Sequence, residues 1–122
     1  MFQNDYILRQ VEMLSQFIAS VVLKKNTVTY PVSLDENGRY TDAAQLYLTL
    51  IDMIKKGQIN EAEDKLFDRI ELDLDTEYLE ISIDFYSQLS QMSEEFLEAH
   101  DFSKEEVLEG LTKVKELYGI DM

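Results

Sequence analysis

His100 is the single histidine of this 122-residue chain, and there is no cysteine. Thiolate ligation, disulfide formation and a Cys–His nucleophile are therefore absent, and no HExxH pattern exists. His100 follows SEEFLEA and precedes Asp101, a place where an imidazole caps helix carbonyls and meets the negative end of the dipole. That structural role accounts for it. A Ser-His-Asp site would have to recruit His100 to Ser82, Ser87, Ser90 or Ser93, none of which has a histidine close in sequence. The four glycines stand alone, so no phosphate-cradling loop is present.

Carboxylates are the abundant chemistry. Glu77, Glu80 and Asp84 share one helix face; Glu94, Glu95 and Glu98 lie further along; Glu105, Glu106 and Glu109 crowd the last helix. Carboxylates three or four apart can bind Ca²⁺ or Mg²⁺, or couple so that one stays protonated. A helical two-metal site, however, uses Glu-x-x-His pairs, which are missing. The simpler reading is a solvated face. No cofactor and no metal is expected.

Tyrosines supply the other candidates. Tyr30, Tyr40, Tyr47, Tyr78 and Tyr86 have the amphipathic chemistry of interface anchors. Near the N-terminus, Asp5 and Arg9 form an i,i+4 pair in the favourable order, with Tyr6 beside them. Helix stabilisation explains the pair; a polar binding spot made by Tyr6 and Arg9 is the functional alternative.

Charge narrows the partners. Residues 1–60 carry six acids and six bases; residues 61–122 carry nineteen acids and five bases, the whole formal charge of −14. Such a surface repels nucleic-acid phosphates and anionic lipid. No nucleic-acid or membrane partner is expected. The N-terminus lacks the basic cluster of a signal peptide, and no apolar run has the length of a membrane span, so a cytoplasmic protein is expected.

These residues must be positioned by helices. Hydrophobic residues make up 45 %, and one proline and four glycines punctuate the chain, so long regular elements are expected. One domain, residues 1–122, is read as an all-α, irregular five-helix bundle with helices near 4–25, 41–56, 60–72, 76–99 and 103–118. In the first, Ile7, Val11, Leu14, Ile18 and Val21 form a stripe. Residues 26–40 are a long crossover that either packs back through Val28, Tyr30, Val32 and Leu34 or works as a functional loop. Thr41 or Asp42 caps the second helix, and Gly57 ends it. Asn60 with Glu63 caps the third. Asp73 or Asp75 caps the fourth, in which Tyr78, Leu79, Ser82, Phe85, Tyr86, Leu89, Met92 and Phe96 run at helical spacing. Ser103 with Glu106, and Phe102 against Val107, start the last.

Residues 46–69, LYLTLIDMIKKGQINEAEDKLFDR, resemble the centre of a tetratricopeptide repeat: Gly57, Glu61, Ala62 and Leu66 match. Arg69 stands where that family has a small residue, and Leu50 replaces its early Gly or Ala. The resemblance implies one repeat-like hairpin inside the bundle. The opening Asp5-Tyr6-Ile7-Leu8-Arg9, followed by a hydrophobic helix, is similar to a family of small bacterial proteins of unknown function, and brings no activity with it. The favoured function is a non-catalytic interaction or adaptor protein, with a protein partner or a homodimer. The alternative is a metal- or ligand-dependent enzyme using carboxylates of the last two helices.

Overall fold

The computed structural model describes residues 2–121. Among them are six α-helices: α1 (Phe2–Phe17), α2 (Asp42–Lys55), α3 (Ile59–Leu72), α4 (Thr76–Gln91), α5 (Glu94–Ala99) and α6 (Lys104–Leu117). The expected all-α irregular bundle is present, with one helix more than the five expected. The one departure from helix and loop is an isolated antiparallel bridge, Leu34 to Tyr40.

α4 is the hub, packing against α1, α2, α3 and α6. It is buried without interruption from Ile81 to Tyr86. A helix stretch buried at six successive positions is enclosed on every side. Ser82 fits this setting because its hydroxyl donates to the carbonyl of Tyr78 at 2.7 Å.

The expected 76–99 helix breaks at Met92 and Ser93, both extended, with ψ 151° and 152°. Ser93 accepts from the Phe96 amide as N-cap of α5. Lys104 Nζ donates to the carbonyls of Ser90 and Met92, at 2.7 and 2.6 Å, and so caps the broken end of α4. Glu94 and Glu95 occupy the first turn of α5, where negative charge is favoured.

The expected 4–25 helix also changes form. Ile18–Val22 is π-helical. The Leu23 amide reaches the Ile18 carbonyl at 3.0 Å, five residues back. The wider turn keeps Ile18 and Ala19 inside and rotates Val21 off the stripe, leaving it 50 % exposed. Lys24 ends the segment in left-handed backbone, φ 58°.

α2 and α3 form a helical hairpin about Gly57, φ 85°. The Gln58 amide bonds to the Met53 carbonyl at 2.9 Å, the six-to-one bond of a Schellman cap. Thr41 caps α2, Asp75 caps α4 and Ser103 caps α6, each through its side-chain oxygen. Asn60 does not cap α3. That helix begins one residue earlier, at the buried Ile59. Asn60 Nδ2 donates instead to the Asp101 carbonyl at 3.1 Å, joining the α2–α3 turn to the α5–α6 turn.

His100 belongs to the same junction. Its Nδ1 lies 2.8 Å from the Phe96 carbonyl, as a helix-end histidine should. Its ring also lies over Gly57, where an added Cβ would fall 2.8 Å from Cγ and closer still to the ring edge. Gly57→Ala combines left-handed strain with this collision. The half-buried His100 can swing aside, so the expected loss is about 2 kcal/mol, measured by urea unfolding.

Candidate functional site

Three carboxylates on one face of α4 receive the crossover rather than solvent. Glu77, Glu80 and Asp84 recur at helical spacing, and Asp84 is buried, 4 % exposed. This corrects the expectation of a solvated acidic face for these three residues. The solvated reading does describe Glu94, Glu95, Glu98, Glu105 and Glu109, which are exposed.

Each carboxylate has a partner in the crossover. The Tyr30 amide donates to Asp84 Oδ2 at 2.7 Å. Tyr30 Oη donates to Glu77 Oε2 at 2.7 Å, and Ser33 Oγ donates to the same oxygen at 2.9 Å. Lys25 Nζ meets Glu80 Oε2 at 2.8 Å. α2 and α4 complete the cage around Asp84. Tyr47 Oη lies 3.1 Å from both carboxylate oxygens, and Gln88 Nε2 donates to Oδ1 at 2.7 Å. The Tyr30 and Tyr47 rings pack 5.0 Å apart. Burial, then the negative charge of Asp84, pushes the Tyr47 hydroxyl up to about 12.

The crossover is thus anchored by polar contacts and by one fully buried side chain, Tyr30. Val28 is half-buried. Val32 and Leu34 are not packed inward as expected; they are 41 % and 57 % exposed. Beyond them the chain turns tightly. Asp35 Oδ1 accepts from the Asn37 and Arg39 amides at 2.8 and 3.0 Å, with Gly38 left-handed. The Leu34–Tyr40 bridge closes this tip and sets two exposed side chains opposite one another. Tyr40 is 51 % exposed.

The remaining tyrosines divide. Tyr6 is exposed, and so is Arg9. Asp5 and Arg9 form no ion pair, whereas Lys25–Glu80 and Lys56–Asp52 do, each at 2.8 Å. Tyr78 is buried beneath Arg69, whose Nε donates to its hydroxyl at 3.1 Å. Tyr86 is fully buried and donates to Glu63 Oε2 at 2.6 Å. Four of the five tyrosines expected as anchors are therefore inside the fold, and Tyr40 alone of that set is outside.

Glu63, expected in a capping box, instead borders an open groove of about 510 Å³ between α3 and α6. Asp64, Asp68, Glu71, Glu106 and Glu109 line it, with Lys113 over the Phe67 ring at 5.0 Å. Burial raises the Glu63 carboxyl above its ordinary value, against the lowering effect of the Tyr86 hydroxyl. A raised carboxyl binds its proton more tightly folded than unfolded. Stability therefore declines as pH rises through the Glu63 transition. Glu63→Gln keeps the acceptor for Tyr86 and removes the half-buried charge. It is expected to raise the urea midpoint at neutral pH, with the gain fading on acidification below that transition.

Among the described residues, no group of three or more His, Cys, Asp or Glu side chains has the arrangement of a metal site. No helix among them is long and apolar enough to cross a membrane. The Asp84 cage was not legible beforehand, because its donors come from positions 30, 47 and 88. The signal available was an acid flanked directly by Ile83 and Phe85 in the run ISIDFY.

No curated protein and no solved structure matches this chain. A profile described as a family of unknown function (DUF6483) matches residues 1–119, nearly the whole length. The all-helical chain described above belongs to that family of unknown function.

Proposed function

We propose that the chain is a non-catalytic helical interaction module that presents its crossover tip to another protein or to a second copy of itself. One observation carries this reading. A buried polar cage fixes the crossover on α4, yet the tip it fixes shows Val32, Leu34 and Tyr40 to solvent. Fixing a loop in advance removes ordering cost from association, and exposed aromatic and aliphatic side chains supply the contact area. Tyr6 and Arg9 offer a second exposed spot on α1. The α2–α3 hairpin is read as tetratricopeptide-like, with Ala62 and Leu66 buried at its contact. The formal charge of −14 turns the module away from nucleic acid and toward protein. We place it in the bacterial cytoplasm.

In-cell photo-crosslinking tests the tip. A photoreactive residue at position 34 or 40 is expected to trap the same protein, and one at the exposed Glu116 is expected to trap nothing. An adduct of twice the chain mass identifies a second copy. Equal adducts at all three positions, or none at 34 and 40, would overturn the reading.

The carboxylate-enzyme reading, which rests on acids of the helices near 76–99 and 103–118, has Glu106 and Glu109 on the groove beside Glu63 in its favour. Calorimetry with Mg²⁺ and Ca²⁺ tests it: saturable heat that Glu63→Gln abolishes would establish a cation site, and no heat would remove the reading.

A further inference from the structure

The strap formed by residues 24–41 differs from the rest of the fold in what holds it. Between its ends, its side-chain and amide donors reach the three α4 carboxylates Glu77, Glu80 and Asp84, and the exposed Gln45 side chain of α2 donates to the Tyr40 carbonyl at 3.2 Å. Tyr30 is its one fully buried side chain. The helices also pack directly on one another: α1 packs on α4 and α6, and α2 packs on α3 and α4. Both its ends meet elements with their own terminations, left-handed Lys24 on one side and the Thr41 cap on the other.

We propose that this strap opens as a unit while the helices stay packed, and that opening withdraws the Val32, Leu34 and Tyr40 surface. Regions with few buried apolar contacts open at lower free energy than the core. The chemistry of the cage favours such an opening. When Tyr30 leaves, Asp84 keeps the Tyr47 hydroxyl and the Gln88 amide and gains water, so no charge is stranded. The strap's own groups, Lys25, Ser33 and the Tyr30 hydroxyl, all pass into solvent. Closed, the tip is fixed for a partner; open, it is not. The withdrawal rests on the tip being the contact surface, whereas the opening itself does not.

Native-state hydrogen exchange in sub-denaturing urea tests the opening without any partner. The Tyr30 amide is bonded only to Asp84 among the contacts described, and Phe85 lies beside it in the α4 core. The Tyr30 amide is expected to exchange at lower free energy than the Phe85 amide and with a shallower urea slope. Val114→Ala, which removes core packing that the open strap leaves in place, should speed exchange at Phe85 more than about tenfold and leave residue 30 unchanged. Identical free energies and slopes at the two amides, or equal acceleration of both in the variant, would overturn the strap. Failure here leaves the interaction reading standing, and failed crosslinking leaves the strap standing.

Discussion

Gly110→Ala is expected to cost about 3 kcal/mol in urea unfolding, a large loss for one added methyl group. Gly110 is buried within α6 against the ring of Tyr86. A Cβ built there falls 2.5 Å from Tyr86 Cζ, where real side chains do not approach. The ring has no route of retreat. Tyr86 is fully buried, its hydroxyl is tied to Glu63 at 2.6 Å, and Phe85 packs edge-on at 5.0 Å. α6 must therefore move away from α4, which loosens the contact between them. Gly38→Ala is the control. It lies in left-handed backbone with nothing within 4 Å of an added Cβ, so it should lose only about 1 kcal/mol. Equal losses at the two glycines would show that α6 and α4 are not in the close contact described. A loss at Gly110 that Tyr86→Leu relieves would locate the strain in the ring.

That contact also shows what the sequence could express. The core rows of α3 and α6 were legible because Ala62, Leu66, Phe67 and Ile70, and Val107, Leu111 and Val114, keep one period, and all seven are buried. Gly110 was not legible. Its need comes from Tyr86, twenty-four positions away, on another helix. The break after Gln91 was hidden for a different reason. Met92 and Phe96 stand four apart and imitate a continuing helix, while Ser93 with Glu94 and Glu95 marks a new one. Both signals are local; Lys104 Nζ on the Ser90 and Met92 carbonyls favours the second. The π-helical turn at IASVV has no local mark at all. The α4 acids were assigned to solvent because adjacent carboxylates normally face it, and only the returning crossover supplies the donors that reverse this.

Asp84→Ala is expected to be the most damaging single substitution, at about 4 kcal/mol. The side chain accepts from the Tyr30 amide, the Tyr47 hydroxyl and the Gln88 amide in a buried site. Alanine orphans the Tyr30 amide and the Tyr47 hydroxyl, leaves the Gln88 amide only its 3.0 Å bond to Tyr47 Oη, and opens a void beneath Tyr30. Asp84→Asn fills the space and keeps one acceptor, but it turns an amide donor toward a neighbour that is itself a donor; about 2 kcal/mol is expected. The ratio of the two losses separates lost volume from lost acceptors. Tyr47 gives a second readout. Its hydroxyl is held up at about 12 by burial first and Asp84 second. Tyrosine that resists ionisation when folded stabilises the fold below its ordinary value of 10.0. That stability is lost as pH rises through the folded value. Asp84→Asn removes the charge and leaves the burial, so Tyr47 should ionise at lower pH than in the parent but still above 10.0. Ultraviolet titration against a Tyr47→Phe variant isolates that one hydroxyl. A Tyr47 transition unmoved by Asp84→Asn, with the fold intact, would mean that burial alone holds the Tyr47 hydroxyl up. Asp84 would then act in the cage through its hydrogen bonds to the Tyr30 amide and the Gln88 side chain, and not through an effect on Tyr47.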